Sequence, residues 1–317
     1  MAESETEFNM NEETLSLNKD RPENPGLLLI RGETFRENFN HRPFTIQHRL
    51  ANHSLFTLEQ LVALAKRLPT QNVKYQAADL PVSHGLYDGP QTGLSTEETI
   101  RQIEECRSWM VIKWVENDPA YRELLGQCLD EIQYFSEPLE PGMCMREGFI
   151  FVSSPGAVTP YHMDPEYNFL LQISGTKSVH MFDGSDPSIV SAQEREEFMS
   201  TDGNRTLTFK EEYEAKSSIF ELTPGVGLHF PVMTPHWVQN GNQVSISFSI
   251  TFRTPASERW SIVNDINTRL RRFGLQPTPF GRSRWRDLTK YQAYRVLRRA
   301  DRLIRRSTPR PIKNNEK

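Results

Sequence analysis

The sequence predicts a mainly β protein with added helices: a sandwich or barrel core, a mixed preface before it and a basic helical extension after it. Three observations carry this. From about Met143 to Arg253 the chain is a series of short β-type segments separated by Gly, Pro and Asp. On either side of that region, apolar residues instead recur at helical spacing. The charge is also lopsided, since residues 255–317 hold 17 Lys and Arg against 5 Asp and Glu, a net +12. The other 254 residues carry 20 against 36, a net −16.

In order, the expected units are an acidic tail over 1–25, a helix-and-strand preface over 26–140, a β core over 141–254 and a basic helical extension over 255–317. The tail is polar, rich in Glu and ends in the Pro-rich Arg21–Gly26 stretch. Leu27–Ile30 is an apolar run suited to a strand, and Phe44–Gln47 alternates apolar and polar residues. Leu58–Leu68 has helical periodicity that stops at Pro69, and Ser95 with Glu98 has capping-box spacing. A longer helix starts at Pro119 with Asp118 as its N-cap and runs to about Tyr134. The core strands are expected at Phe149–Ser153, Tyr167–Ser174, Lys177–Phe182, Ser217–Leu222 and Val244–Phe252, and the extension helices at Ser257–Phe273 and Asp287–Arg306.

The chemistry concentrates in Thr159–Asp164. In an extended chain residues i and i+2 share a face, so His162 and Asp164 can reach one metal ion. Pro235-His236, 72 residues after Asp164, offers a third ligand from another strand, with His229 as a competitor. Two imidazoles and one carboxylate form a facial triad that leaves positions open for co-substrate and oxygen. Lys177 follows the turn Ser174-Gly175-Thr176, and a hairpin there would set it beside the metal strand as a partner for an organic carboxylate. His180 has the opposite parity and should face away. Over Val244–Phe252 the parity split is sharp: Ser245, Ser247, Ser249 and Thr251 on one face, Val244, Ile246, Phe248, Ile250 and Phe252 on the other. That pattern suits a sheet covered by helices outside and lining a polar pocket inside.

With Asn168 and Lys177 following at their spacing, the stretch from Thr159 to Lys177 resembles the jumonji-C and cupin-like 2-oxoglutarate oxygenases, in particular their asparaginyl-hydroxylase branch. The likeness covers about Phe149–Arg253, a third of the chain. It implies a double-stranded β-helix (cupin or jelly-roll) core and a hydroxylase using Fe(II), 2-oxoglutarate and O2. It implies His162, Asp164 and His236 as iron ligands and Thr159 and Lys177 on the distal carboxylate of 2-oxoglutarate. Asn168 would lie near the 1-carboxylate, with Ser249 where the family has a second asparagine. The family's tyrosine from the preface has no evident counterpart. The implied substrate is a protein side chain or a small molecule, with demethylation open by the same route. The rival reading is a metal-binding cupin with an isomerase or regulatory role and no oxygenase activity.

No run of about 18 apolar residues is present, so no transmembrane helix is expected. The acidic N-terminus is unlike a secretory signal, and Cys106, Cys128 and Cys144 lack CxxC spacing, which together suggest a cytoplasmic location with reduced thiols. The basic extension suggests a homodimer through its helices, with Val296, Leu297, Leu303 and Ile304 as an apolar stripe. Nucleic-acid binding by its arginines is the less favoured alternative.

Overall fold

The computed structural model describes residues 26–200 and 207–307, with side chains described to Phe198 before the gap and to Arg299 at the end. The acidic segment 1–25 and the side chains of Leu303 and Ile304 therefore lie outside the described residues. The preface contributes β1 (Leu28–Leu29), α1 (Gly32–Asn38), β2 (Phe44–His48), α2 (Leu58–Arg67), β3 (Val73–Ala77), α3 (Thr96–Arg101), β4 (Ser108–Lys113) and α4 (Pro119–Ser136). The caps form as expected: Ser95 and Glu98 make the capping box of α3, and the Asp118 side chain accepts from Ala120 N at the head of α4.

Eight strands follow: β5 (Cys144–Ser153), β6 (Val158–His162), β7 (Tyr167–Ser174), β8 (Lys177–Met181), β9 (Ser218–Leu222), β10 (Val226–Phe230), β11 (His236–Asn240) and β12 (Ser245–Arg253). They fall into two antiparallel sheets with the orders β10-β7-β12-β5 and β6-β11-β8-β9. The chain switches sheet at nearly every turn, which is the winding of a double-stranded β-helix, a jelly-roll core. The preface strands β1 and β2 extend the larger sheet beyond β10, and β3 and β4 extend it beyond β5, giving eight strands in all.

Strand parity assigns the faces. Outward residues of β7 and β12, including Phe169, Leu171, Phe248, Ile250 and Phe252, join residues of α1, α2 and α4 in one apolar core. Burying a side chain of this size contributes about 1.5–3 kcal/mol. The interior between the sheets holds a second cluster, with Leu170, Val179, Met181, Leu228, Phe230 and Val238. The outer face of the smaller sheet is covered by the connection between β8 and β9, where Tyr161, Phe182, Ile189 and Tyr213 pack together and α5 (Ala192–Ser200) lies.

Two features differ from expectation. The turn at Gly175 is not a hairpin: it carries the chain from the larger sheet to the smaller, and β8 pairs with β11 and β9 rather than β7. Gly175 has φ +68, and a Cβ there would lie 2.3 Å from the Val244 carbonyl oxygen, so only glycine makes this crossing without strain. Half of the polar face of β12 is also closed. Gln172 Nε2 donates to Ser245 Oγ at 3.0 Å and Ser247 Oγ donates to Gln172 Oε1 at 2.7 Å, filling that end of the interior instead of leaving a pocket.

The extension forms α6 (Pro255–Arg272) and α7 (Arg284–Ser307). A buried polar network fastens them: Glu196 of α5 accepts from Arg271 at 2.5 Å and from Asn267 at 3.0 Å, and Lys290 donates to Asn267 Oδ1 at 2.5 Å. No helix among the described residues is long and apolar enough to cross a membrane.

Candidate metal and dicarboxylate site

His162 ends β6 and His236 begins β11, and the two are direct partners across the ladder. Their ring centroids lie 4.2 Å apart. Asp164 completes the group: its Oδ2 is 3.9 Å from Nε2 of each histidine. The turn before β11 is bound to this loop, since Met233 N donates to the Asp164 carbonyl at 2.8 Å.

The orientation of both rings is fixed by backbone. His162 Nδ1 lies 2.7 Å from the Pro160 carbonyl oxygen, and His236 Nδ1 lies 2.9 Å from that of Thr234. A carbonyl only accepts, so each Nδ1 carries a proton and Nε2 is the ring nitrogen turned toward the Asp164 carboxylate. This is the outer-shell arrangement of metal-ligating histidines. The three donor atoms lie within 4.8 Å of one another. A divalent ion bonding N and O at about 2.0–2.2 Å needs them no more than about 4.3 Å apart, which a shift of about half an ångström supplies. The donor set and its tautomers therefore fit a first-row metal ion.

His229 is not part of this group. It sits on the outward face of β10, fully buried against Phe39, Phe44 and Phe169, with Nδ1 donating to the Asn168 carbonyl and Nε2 accepting from Asn40 N. Burial pulls its pKa down to about 3. His180 also faces outward, stacked on Trp237 at 3.8 Å and donating to Glu214. His48, in the preface, is buried, and its Nδ1 accepts from Leu50 N.

Lys177 lies inside the barrel on β8, opposite Asn240 of the His236 strand. It is 5% exposed, and no carboxylate among the described residues pairs with it. Desolvation alone pulls its ammonium down to about 7. The Asn240 amide oxygen across the ladder has no donor of its own. Four residues separate Lys177 from the His236 end of the ladder, about 13 Å at 3.3 Å per residue, and the four-carbon lysine stem can span part of that distance.

Thr159 reaches the same interior by a route parity does not give. Thr159 and His162 are three residues apart, so a regular strand would turn them to opposite faces. The register pairs His236 with His162 but Val238 with Thr159, so β6 carries one extra residue, a bulge at Pro160-Tyr161. The Thr159 hydroxyl accepts from Trp109 Nε1 at 2.8 Å, which leaves its own proton to donate. Trp109, fully buried on β4, is a site residue that sequence reasoning missed, because nothing local marks a contact 50 residues away. Asn168 lies on the inner face of β7, and Ser249 Oγ donates to its Oδ1 at 2.8 Å. Ser249 thus orients Asn168, whose amide N–H groups have no partner among the described residues. A cleft of about 850 Å3 opens between the Asn40–Pro43 loop, Met181–Ser185, Pro231–Thr234 and Trp260, and none of His162, Asp164 and His236 lines it.

No protein-family model and no curated protein matches the sequence. Among solved structures, E. coli YcfD is similar at 15% identity with a TM-score of 0.48, covering 85% of this chain and 68% of that one. The structure described as YcfD, a ribosomal oxygenase from Escherichia coli, in complex with cobalt and 2-oxoglutarate is similar at 16% identity and a TM-score of 0.47, covering 86% and 68%. The corresponding complex with cobalt and succinic acid gives 15% and 0.43, covering 86% and 68%. Likeness at this level carries no argument about chemistry, which rests on the residues of this chain.

Proposed function

We propose that the protein is an Fe(II)- and 2-oxoglutarate-dependent oxygenase that hydroxylates an unactivated C–H bond of a protein side chain or small molecule. The observation that carries this is one barrel interior holding both a two-histidine, one-carboxylate group and the buried Lys177, which has no carboxylate partner among the described residues. Burying an unpaired charge is costly. A ligand carboxylate offsets that cost, and a diacid can meet Lys177 with one end while its other end lies beside the triad.

His162, Asp164 and His236 would hold the metal, which with 2-oxoglutarate and O2 supplies the oxidising chemistry when bound. The chain's own part is positioning. The Pro160 and Thr234 carbonyls engage both Nδ1 atoms and so leave the Nε2 atoms as the ligating ones. Lys177 and the Thr159 hydroxyl would bind the distal carboxylate, and Trp109 fixes that hydroxyl. Asn168, held by Ser249, would donate toward the end near the metal. Leu170, Val179 and Leu228 give the space between an apolar lining, which would strengthen each polar contact there. The cleft lined by Met233 and Thr234, whose backbone contacts Asp164 and His236, is the entry proposed for substrate.

A metal-binding cupin without oxygenase activity has no use for a buried, unpaired lysine. We further infer a homodimer through the C-terminal helices, supported by exposed Val296 and Leu297 on α7, and a cytoplasmic location. The test is oxygen uptake by the iron-loaded protein. Uptake should require 2-oxoglutarate, produce succinate and disappear in His236→Ala; iron binding with no 2-oxoglutarate-dependent uptake or binding would refute the assignment.

A further inference from the structure

We infer that the arginine-rich face of α7 is a binding surface for single-stranded nucleic acid. The helix holds nine Lys and Arg and two Asp in 24 residues. Either the acidic body neutralises such a helix, or it stays open to a polyanion. Among the described residues of α7, carboxylates meet Lys290, which lies near the buried Asp287 and near Glu196 of α5. Arg282, just before the helix, and Arg284, Arg295, Arg298 and Arg299 are exposed and form no ion pair among the described residues.

At 100° per residue, Arg284, Arg295, Arg298 and Arg299 fall on one face about 100° wide and about 22 Å long. Aromatic rings lie beside two of them without neutralising them. Arg295 lies 5.7 Å from the centre of Tyr291, which Arg259 approaches at 5.5 Å, and Arg298 lies 5.7 Å from Tyr294. Trp285, about 40° beyond the edge of that face at its N-terminal end, is 79% exposed. Guanidinium groups suit phosphates, and an open indole suits a base face. An acidic peptide supplies the anions but no flat rings, and a membrane would engage the face of Val296 and Leu297. The inference is independent of the chemistry inside the barrel.

The test is fluorescence anisotropy of the full chain with a labelled 20-nucleotide oligouridine RNA over a potassium chloride series. Affinity should fall with salt, with a log–log slope of about −0.7 per phosphate contacted. Exchanging Arg295, Arg298 and Arg299 together for Gln should weaken binding at least tenfold and flatten the slope by about 2. The same three changed to Lys should keep the slope, which separates lost charge from a melted helix. Trp285→Ala should weaken binding about fivefold or more with the slope unchanged. No binding by the wild type, an unaffected Gln variant, an unaffected Trp285→Ala, or capture by phosphatidylglycerol vesicles in place of RNA would each overturn the assignment.

Discussion

Replacing Lys177 with Met should stabilise the ligand-free protein while crippling its binding of 2-oxoglutarate. Burial pulls the ammonium down to about 7, against about 10.4 for a free lysine. At 1.36 kcal/mol per pKa unit, keeping it charged in the folded chain costs up to about 5 kcal/mol. Between those two values the unfolded chain binds more protons than the folded one, so wild-type stability climbs with pH across that window. Methionine fills similar volume with no charge. Urea unfolding without ligand should therefore find Lys177→Met more stable by up to about 5 kcal/mol at pH 6 and up to about 3 kcal/mol at pH 8.5. With iron and 2-oxoglutarate present the order changes. Loss of charge-assisted hydrogen bonds worth about 1.5–3 kcal/mol should weaken 2-oxoglutarate about 10- to 150-fold, by calorimetric titration. A variant less stable than wild type at both pH values, or a stability gap that does not narrow as pH rises, would show that the protein itself neutralises the lysine.

Other changes probe the remaining parts. Trp109→Phe keeps a ring but removes the donor to Thr159, and should weaken 2-oxoglutarate about 2- to 12-fold with little loss of stability. Asp164→Ala should remove a ligand and lower cobalt(II) affinity at least 100-fold in a competition titration, leaving the far-UV circular dichroism unchanged. His229 and His48 are held neutral by burial, with pKa values of about 3 and 4. Stability supplied by their neutral forms is whole above pH 6.5 and is lost as pH falls, at about 1.4 kcal/mol per pH unit for each. Urea midpoints measured from pH 7 to 4.5 should fall accordingly, and a flat profile would contradict neutral burial.

Much of this was legible in the sequence, because local rules governed it. The alternation in β12 separated its apolar face from its hydroxyl face, and the His162–Asp164 spacing set two donors on one side of the chain. Capping chemistry marked the starts of α3 and α4. What escaped depended on distant partners. The bulge at Pro160-Tyr161 exists because β6 must match β11, so strand parity alone could not bring Thr159 and His162 to one interior. The preface strand β4, a buried run on both faces, is placed by its pairing with β3 and β5, and with it Trp109 reaches Thr159. The crossing at Gly175 looks locally like a hairpin turn, and only the second sheet reveals its direction.

Anaerobic titration of the iron(II)-loaded protein with 2-oxoglutarate, followed by visible absorption, is the most direct measurement. One diacid per chain should give a saturable charge-transfer band, absent in His236→Ala and displaced to higher concentration in Lys177→Met. Stoichiometric iron with no band at millimolar 2-oxoglutarate would mean that the buried lysine and the three donors do not serve a common ligand.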